Sequence, residues 1–381
     1  MKALERAVTI ADLRLLARRR LPRAMFDFID GGAIDESTLR ANEADFGHWR
    51  LMPRVAVGVG TRDLSATILG RKAALPLMLS PIGLEGFFWP GGEIATARAA
   101  AKAGVPYCLS TNSVASLEQL AEAVPEGERW FQLYFLRDRD WMHGLVERAK
   151  AAHYRVLCLT LDLPLQGKRE RDARHGFTMP LKPRLKTMLD MACHPHWSIG
   201  ALRSLPTLGN FQTSDATGFT SIAQHVVSLF DPSANWDDVA RLRERWKGPI
   251  MIKGILHPED AAKAVSLGIE AVMVSNHGGR QLDHSPSAIA ALPDIVTAIG
   301  GRAEIIVDGG VRRGTDVAKA LALGATACGI GRAGVWGIAA GGEAGAARAL
   351  AIFKTELDNA MALLGTKRVS DLTRDHVRVR P

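Results

Sequence analysis

The chain has 381 residues, 47% of them hydrophobic, with a formal net charge of +8. That composition, with no long polar or low-complexity tract, excludes a disordered chain. The basic residues are scattered, without a helix-turn-helix or zinc pattern. The charge therefore points to an anionic substrate, a phosphate cofactor or an anionic membrane surface rather than to nucleic acid.

The N-terminal stretch MKALERAVTIADLRLLARRRLP holds no long apolar run, so neither a signal peptide nor a spanning helix is expected. Cys108, Cys158, Cys193 and Cys328 show no paired spacing, and three of them lie in apolar runs, which suits buried thiols in a reducing cytoplasm. The first ~75 residues are expected to form helices and a small β element packed outside one (β/α)₈ barrel, a fold that takes up about 250 residues or more as one domain. On that reading residues 1–381 are a single domain.

From residue 77 onward one unit repeats: an Ala-rich helical stretch, usually a Gly stop, then a short apolar run. EIATARAAAKAG leads into VPYCLS, MHGLVERAKAAHY into RVLCLT, EDAAKAVSLG into IEAVMVS, and TDVAKALALG into ATACGIG. Glycine after a helix adopts the left-handed conformation at little cost. Ser116 with Gln119 reads as a capping box. Strands are predicted at Leu77–Ser80, Pro106–Ser110, Trp130–Tyr134, Val156–Thr160, Pro249–Lys253, Ala271–Ser275, Glu304–Asp308 and Ala327–Ile330. Eight parallel strands alternating with helices make a TIM barrel, with a doubly wound open sheet as the alternative. Residues 178–231, after the fourth strand, read as a long irregular excursion, of the kind that is usually functional or mobile.

The unusual polar residues fall at or just beyond the C-terminal ends of these strands, where a barrel builds its active site. Ser110 ends the second strand, Gln132 and Tyr134 the third, Thr160 and Asp162 the fourth. Lys253 ends the fifth, Ser275 and His277 the sixth, and Asp308 the seventh. Gly309, Gly310 and Arg312 in VDGGVRRG, with Gly331 and Arg332 in GIGRA, form the two loops that commonly bind phosphate in barrels. SNHGGRQLD places His277 on a tight loop beside Arg280, and Asp162 could orient and stabilise its imidazole. Arg169 and Arg280 each suit a carboxylate held through two parallel hydrogen bonds. Lys253 could also be a rim salt bridge. CHPH at Cys193–His196 lacks completing ligands, so no metal is expected.

Together, LPRAMFDFIDGGAIDE, WFQLY, TLDLPLQGKRERD, IKGIL, VSNHGGRQLD, VDGGVRRGTDVAKALALG and IGRA resemble the FMN-dependent 2-hydroxy-acid oxidase and dehydrogenase family over nearly the whole chain. HPHW, FDPSANW and GPIMIKGILHPEDA are most similar to its bacterial L-lactate dehydrogenase branch, and GKRERD is also similar to mandelate dehydrogenase. The resemblance implies that His277 removes a proton as an L-2-hydroxy acid is oxidised to the 2-keto acid, with Asp162 behind it. It implies that Arg169 and Arg280 hold the substrate carboxylate and that Tyr134 bonds the reacting oxygen. Lys253 would then sit at the N1/O2 edge of FMN, with Ser275 near that edge and Ser110, Gln132 and Thr160 on the ring. Asp308 would bind the ribityl chain, and Gly309, Gly310, Arg312, Gly331 and Arg332 the phosphate. Hydride and carbanion routes both stay open.

The chain departs from the family at Phe28, usually a tyrosine that also binds the substrate carboxylate, and at Asn112, where some relatives carry an aromatic or apolar residue. Gly83 matches a position that is often glycine in dehydrogenases and alanine in oxidases, so slow turnover with oxygen is expected. Relatives of this kind are often tetramers. TMPLKPRLKTMLDMACHPHW mixes basic and apolar residues, which suits peripheral attachment to the inner face of a membrane and electron transfer to a quinone or cytochrome. A lid or a subunit contact is the alternative use of that segment. A flavin-dependent isopentenyl-diphosphate isomerase and a non-catalytic flavin-binding barrel are the competing readings. Neither needs a histidine–aspartate pair beside two arginines.

Overall fold

The computed structural model describes residues 2–175, 184–203, 208–211 and 230–380. Eight parallel strands close into a barrel: β1 (Leu77–Leu79), β2 (Tyr107–Leu109), β3 (Arg129–Tyr134), β4 (Val156–Thr160), β5 (Ile250–Ile255), β6 (Ala271–Val274), β7 (Glu304–Asp308) and β8 (Ala327–Ile330). Each expected strand is present, with ends shifted by two residues at most. The largest shift is at β5, which runs past Lys253 to Ile255 across an irregularity in its pairing with β6. The alternative of an open sheet is thereby excluded.

The barrel interior follows from the two-residue period of a strand. Met78, Cys108, Trp130, Cys158, Met251, Met273 and Ile306 all point inward and form one fully buried cluster. Two residues further along the same strands, or just past their ends, stand Ser80, Ser110, Gln132, Thr160, Lys253, Ser275 and Asp308. The inward parity that fills the barrel with apolar side chains thus delivers polar ones at its C-terminal mouth. Register aligns them further, since Tyr134 pairs with Thr160 and Thr160 with Lys253 across β3, β4 and β5. At the opposite end a hairpin of Ala66–Ile68 and Arg71–Ala73 contributes Ile68 and Leu69 to the inner cluster. The Glu304 carboxylate accepts from the Leu69 amide at 2.8 Å and holds that plug in place.

The helices end as the sequence implies. Gly104 takes φ +66° after Gly92–Ala103, and the Ser116–Gln119 capping box is formed. The N-terminal helices Ile10–Arg20 and Arg23–Asp30 pack beside the long C-terminal helical segment Arg332–Leu364, which is kinked at Gly341 and Gly342. The short strand Trp49–Leu51 pairs antiparallel with Val377–Val379. Cys108, Cys158 and Cys328 are buried and Cys193 is exposed.

The excursion after β4 needs a correction. Its described part is not irregular, because it holds helices at Leu185–Ala192 and Pro195–Arg203. LKTMLDMA carries apolar residues at helical spacing (Leu185, Met188, Leu189, Ala192), a period that the surrounding polar and Pro-rich sequence obscures. Residues 176–183, 204–207 and 212–229, which include much of the segment expected to excurse, lie outside the described residues. Among the described residues no helix is long and apolar enough to cross a membrane.

Candidate active site

The barrel mouth opens into a cavity of about 210 Å³ lined by residues from the loops after the strands and from the helix Arg23–Asp30. The aligned polar side chains are linked across it. Ser80 and Ser275 donate to the two oxygens of Asp308 at 3.0 and 2.9 Å, and Lys253 Nζ donates to Ser275 Oγ at 3.2 Å. Lys253 also lies 3.9 Å from Asp162 and 3.8 Å from Asp308. Burial alone would lower the lysine's pKa, but the two carboxylates outweigh it and raise it, so the ammonium is charged.

His277 sits in the left-handed region, φ +57°, at the start of the tight loop that continues through Gly278 and Gly279. A non-glycine residue held there is a strained element of the kind that collects at functional sites. Its Nδ1 lies 2.9 Å from Asp162 Oδ1. A carboxylate can only accept, so Nδ1 carries the proton and Nε2 keeps its lone pair. Burial, reinforced by the Lys253 charge and opposed by Asp162, holds the imidazole below its usual pKa and therefore neutral and basic at neutral pH. Burial pushes the Asp162 carboxyl up, but the imidazolium that His277 becomes in acid, the Lys253 charge and the His277 hydrogen bond outweigh it and leave it lowered.

Arg280 and Arg169 flank the Phe28 ring, their guanidinium carbons 5.1 and 5.9 Å from its centroid. Arg280 donates to the backbone carbonyls of Phe28 and Gly31, at 2.6 and 3.1 Å. Burial and the neighbouring charges of Arg169 and Arg332 depress Arg280 well below its usual pKa. An arginine does not give up its proton in practice, so this crowding amounts to a demand for an anion. Asp172, with its pKa pushed up to about 6 by burial against the pull of Arg280 and Arg169, answers part of it from inside the fold. Tyr134 lines the same cavity, its ring edge-on to Phe230 at 5.0 Å.

The residues read as phosphate ligands are brought together but are not all directed alike. Gly309 and Gly310 both have positive φ, and a Cβ at Gly310 would lie 1.8 Å from the Asn42 carbonyl oxygen. Arg312 pairs with Glu43 at 2.9 Å and lies over the Trp336 ring. Arg332 donates to the carbonyls of Ile29, Gly278 and Gly31, so its nitrogens tie the loop after β8 to the N-terminal helix and loop.

A ribityl-isoalloxazine phosphate fits this donor set. Gln132 Nε2 and Thr160 Oγ1 are buried with no hydrogen-bond partner among the described residues, although both sit on the inward row at the mouth. Native folds rarely leave such atoms unsatisfied unless a ligand or water meets them. Ser110 is fixed beside Gln132 at 3.2 Å.

Three contributors escaped the sequence reading. Asn42 and Asn276 exchange side-chain hydrogen bonds, both at 2.8 Å, and join the N-terminal extension to the His277 loop. Ser80 holds Asp308, and the inward parity of β1 was the signal that could have found it. Gly254 has φ +104°, and a Cβ there would lie 2.6 Å from the Asp162 Cβ. Only glycine lets Asp162 approach β5 beside Lys253. The preceding IMIK run hid it as an ordinary strand residue.

The sequence pattern of the family described as FMN-dependent dehydrogenase matches residues 17–379. The chain is 43% identical over 369 residues to an L-lactate dehydrogenase of Xanthomonas campestris pv. campestris (strain B100), covering 96% of this chain and 95% of that one. It is likewise 43% identical to an L-lactate dehydrogenase of Pectobacterium atrosepticum over 368 residues, covering 96% and 95%. Among solved structures it resembles the monotopic membrane protein (S)-mandelate dehydrogenase, with a TM-score of 0.95, 38% identity and coverage of 98% and 100%. A mandelate oxidase bound to 3,3-difluoro-2-hydroxy-3-phenylpropionic acid gives a TM-score of 0.83 at 38% identity, covering 98% and 99%.

Proposed function

The chain belongs to the FMN-dependent dehydrogenase family, and from that premise we propose that His277 is the base that deprotonates an L-2-hydroxy acid, held by Arg169 and Arg280, as FMN oxidises it. The observation that carries this reading is the His277–Asp162 pair, 2.9 Å apart, on the same cavity as both arginines and Lys253. The arginine pair binds the carboxylate and so fixes the hydroxyl-bearing carbon. Tyr134 hydrogen-bonds the reacting oxygen. Nε2 of His277 takes a proton from the substrate, and Asp162 stabilises the imidazolium that forms. FMN, when bound, accepts the two electrons. Lys253, with Ser275, would hold the pyrimidine edge of its ring, Ser110, Gln132 and Thr160 the remaining polar edge, and Asp308 the ribityl chain. The Gly309–Gly310 and Gly331 backbone with Arg312 would hold the phosphate, and Arg332, with three of its five N–H groups taken by backbone carbonyls, would add charge. Anaerobic addition of L-lactate and of (S)-mandelate should bleach the flavin and yield the keto acid. Absence of bleaching by any 2-hydroxy acid overturns the reading.

The cavity favours the larger, mandelate-like acid, because Phe28, Phe230, Leu208 and Ile82 line it beside Tyr134. Restoring the phenol with Phe28→Tyr should tighten binding of lactate or glycolate. A hydrogen bond to a charged group contributes about 1.5–3 kcal/mol, or roughly tenfold or more in KM. An unchanged or higher KM for every small acid would show that the ring serves as a platform for the arginines alone.

Attachment to a membrane is proposed through the helices after β4. Leu185, Met188 and Leu189 are 73%, 55% and 60% exposed beside exposed Arg184 and Lys186. Basic groups at an anionic surface contribute about 1 kcal/mol each, and the leucines can enter the interface. Electrons would then leave to a quinone or cytochrome in that membrane. The protein should sediment with anionic vesicles at low salt and less at high salt, and Leu185→Ser with Leu189→Ser should stay in the supernatant. If the unaltered protein does not sediment while it still reduces a soluble dye, these helices serve as a lid.

A further inference from the structure

Asn112 is the residue on the cavity that neither the fold nor the proposed chemistry uses. Its backbone is fully engaged: its N–H donates to Ser110 Oγ at 3.2 Å, and its carbonyl accepts from the Leu84 amide at 3.0 Å. Those bonds tie the loop after β2 to the loop after β1 and would be the same with any side chain. Its carboxamide makes no hydrogen bond among the described residues, and Oδ1 is buried. Ile82, Leu84, Leu208 and Phe230 make up the apolar part of the cavity lining, while Lys253, His277, Asp308 and the arginines there belong to the substrate and cofactor machinery. Ser80 and Ser110, the hydroxyls on that wall, are already bonded to Asp308 and Gln132. Gln166, the other carboxamide on the cavity, is exposed. Gly83 faces Asn112, and a methyl group there would come within 3.3 Å of the Asn112 Cβ.

A buried acceptor kept without a protein partner is a standing cost to the fold, removed when a ligand group or a water meets it. We infer that Asn112 reads a hydroxyl on the side chain of the substrate, so that the preferred L-2-hydroxy acid carries a second hydroxyl or a phenol beyond its α-carbon. This rests on the reading of the site as a 2-hydroxy-acid dehydrogenase. A hydroxyl both donates and accepts, so it satisfies the carboxamide in either of its flipped orientations. A site built to bond such a group discriminates strongly against the analogue that lacks it, because the buried amide is then left unpaired.

The test compares matched acids with the flavin-loaded protein under anaerobic conditions: (S)-mandelate against (S)-4-hydroxymandelate, and (S)-2-hydroxybutyrate against (S)-2,4-dihydroxybutyrate. The second-order rate constant of flavin bleaching should favour the hydroxylated member of at least one pair by roughly tenfold or more. Asn112→Ala and Asn112→Leu should bring that ratio to near unity chiefly by slowing the hydroxylated acid. The ratio is internal to each preparation, so a variant that folds in reduced yield still gives the answer. A ratio near unity for both pairs in the unaltered protein overturns the inference while the dehydrogenase reading stands. Equal slowing of both acids with loss of flavin in Asn112→Ala also overturns it, and gives the amide to the cofactor. If no acid of either pair bleaches the flavin, the dehydrogenase reading fails first and this inference falls with it.

Discussion

His277→Gln is expected to keep the flavin and to lose its reduction by substrate by about 10²–10⁴-fold, the usual contribution of a positioned base. Glutamine fills a similar volume and can still hydrogen-bond Asp162, so the loop and the cavity should survive. What disappears is the Nε2 lone pair, left basic because Nδ1 is committed to the carboxylate 2.9 Å away. The pH profile provides a second readout. Burial holds the imidazole below its usual range, so the acid limb of kcat/KM should lie below about pH 6.5, the ordinary histidine value. Asp162 opposes that depression. Asp162→Asn should therefore move the limb to still lower pH while it reduces the maximal rate. Near-normal flavin reduction in His277→Gln, or an acid limb above the ordinary histidine range, would remove His277 from the role of base.

Lys253→Met should produce the largest loss of stability of any change at the mouth. The ammonium is buried between Asp162 and Asp308, at 3.9 and 3.8 Å, and methionine leaves both carboxylates facing a space without a cation. Breaking a buried ion pair by removing one partner costs about 3–5 kcal/mol, which for a chain of this size corresponds to a fall of roughly 4–6 °C in Tm. The pH dependence has a definite sign. Without the lysine Asp162 loses a neighbour that favours its charged form, so its folded-state pKa rises. A carboxyl with a raised folded-state pKa destabilises above that pKa and recovers as pH falls through it. The difference in Tm between the two proteins should therefore be large at pH 7–8 and shrink toward pH 5. An equal difference at both pH values would show that the lysine acts by packing rather than by charge.

The barrel and most of the candidate site were legible in the chain because both rest on local pattern. A two-residue period carries Met251 into the core and Lys253 to the mouth, and the same arithmetic places Ser275 after Met273 and Asp308 after Ile306. What could not be read depends on distant partners. Asn42 has no motif around it, and its meaning arises only when Asn276 arrives opposite. Gly254 looks like a strand residue until Asp162 approaches it from β4. The helix Leu185–Ala192 was hidden because its apolar stripe faces outward, with Leu185 and Leu189 exposed, and so lacks the inward face by which a core helix announces itself. The seats of Arg280 and Arg332 were illegible for a different reason, since carbonyl oxygens belong to every residue and leave no trace in sequence.

Those seats have a consequence of their own. The carbonyls of Phe28 and Ile29 are among the last of the helix Arg23–Asp30, where the backbone dipoles gather partial negative charge and lack N–H donors in a next turn. Two guanidinium groups are thus steadied by a helix terminus, with no carboxylate hydrogen-bonded to either among the described residues. A carboxylate in that place would compete with the incoming acid, and would let go as it took up protons. Peptide oxygens neither titrate nor leave. The seating of the Arg280 guanidinium is accordingly insulated from the acidity of the surroundings, and the nearby Asp172, with its pKa pushed up to about 6, is the group whose protonation would strengthen the grip on an anion as pH falls.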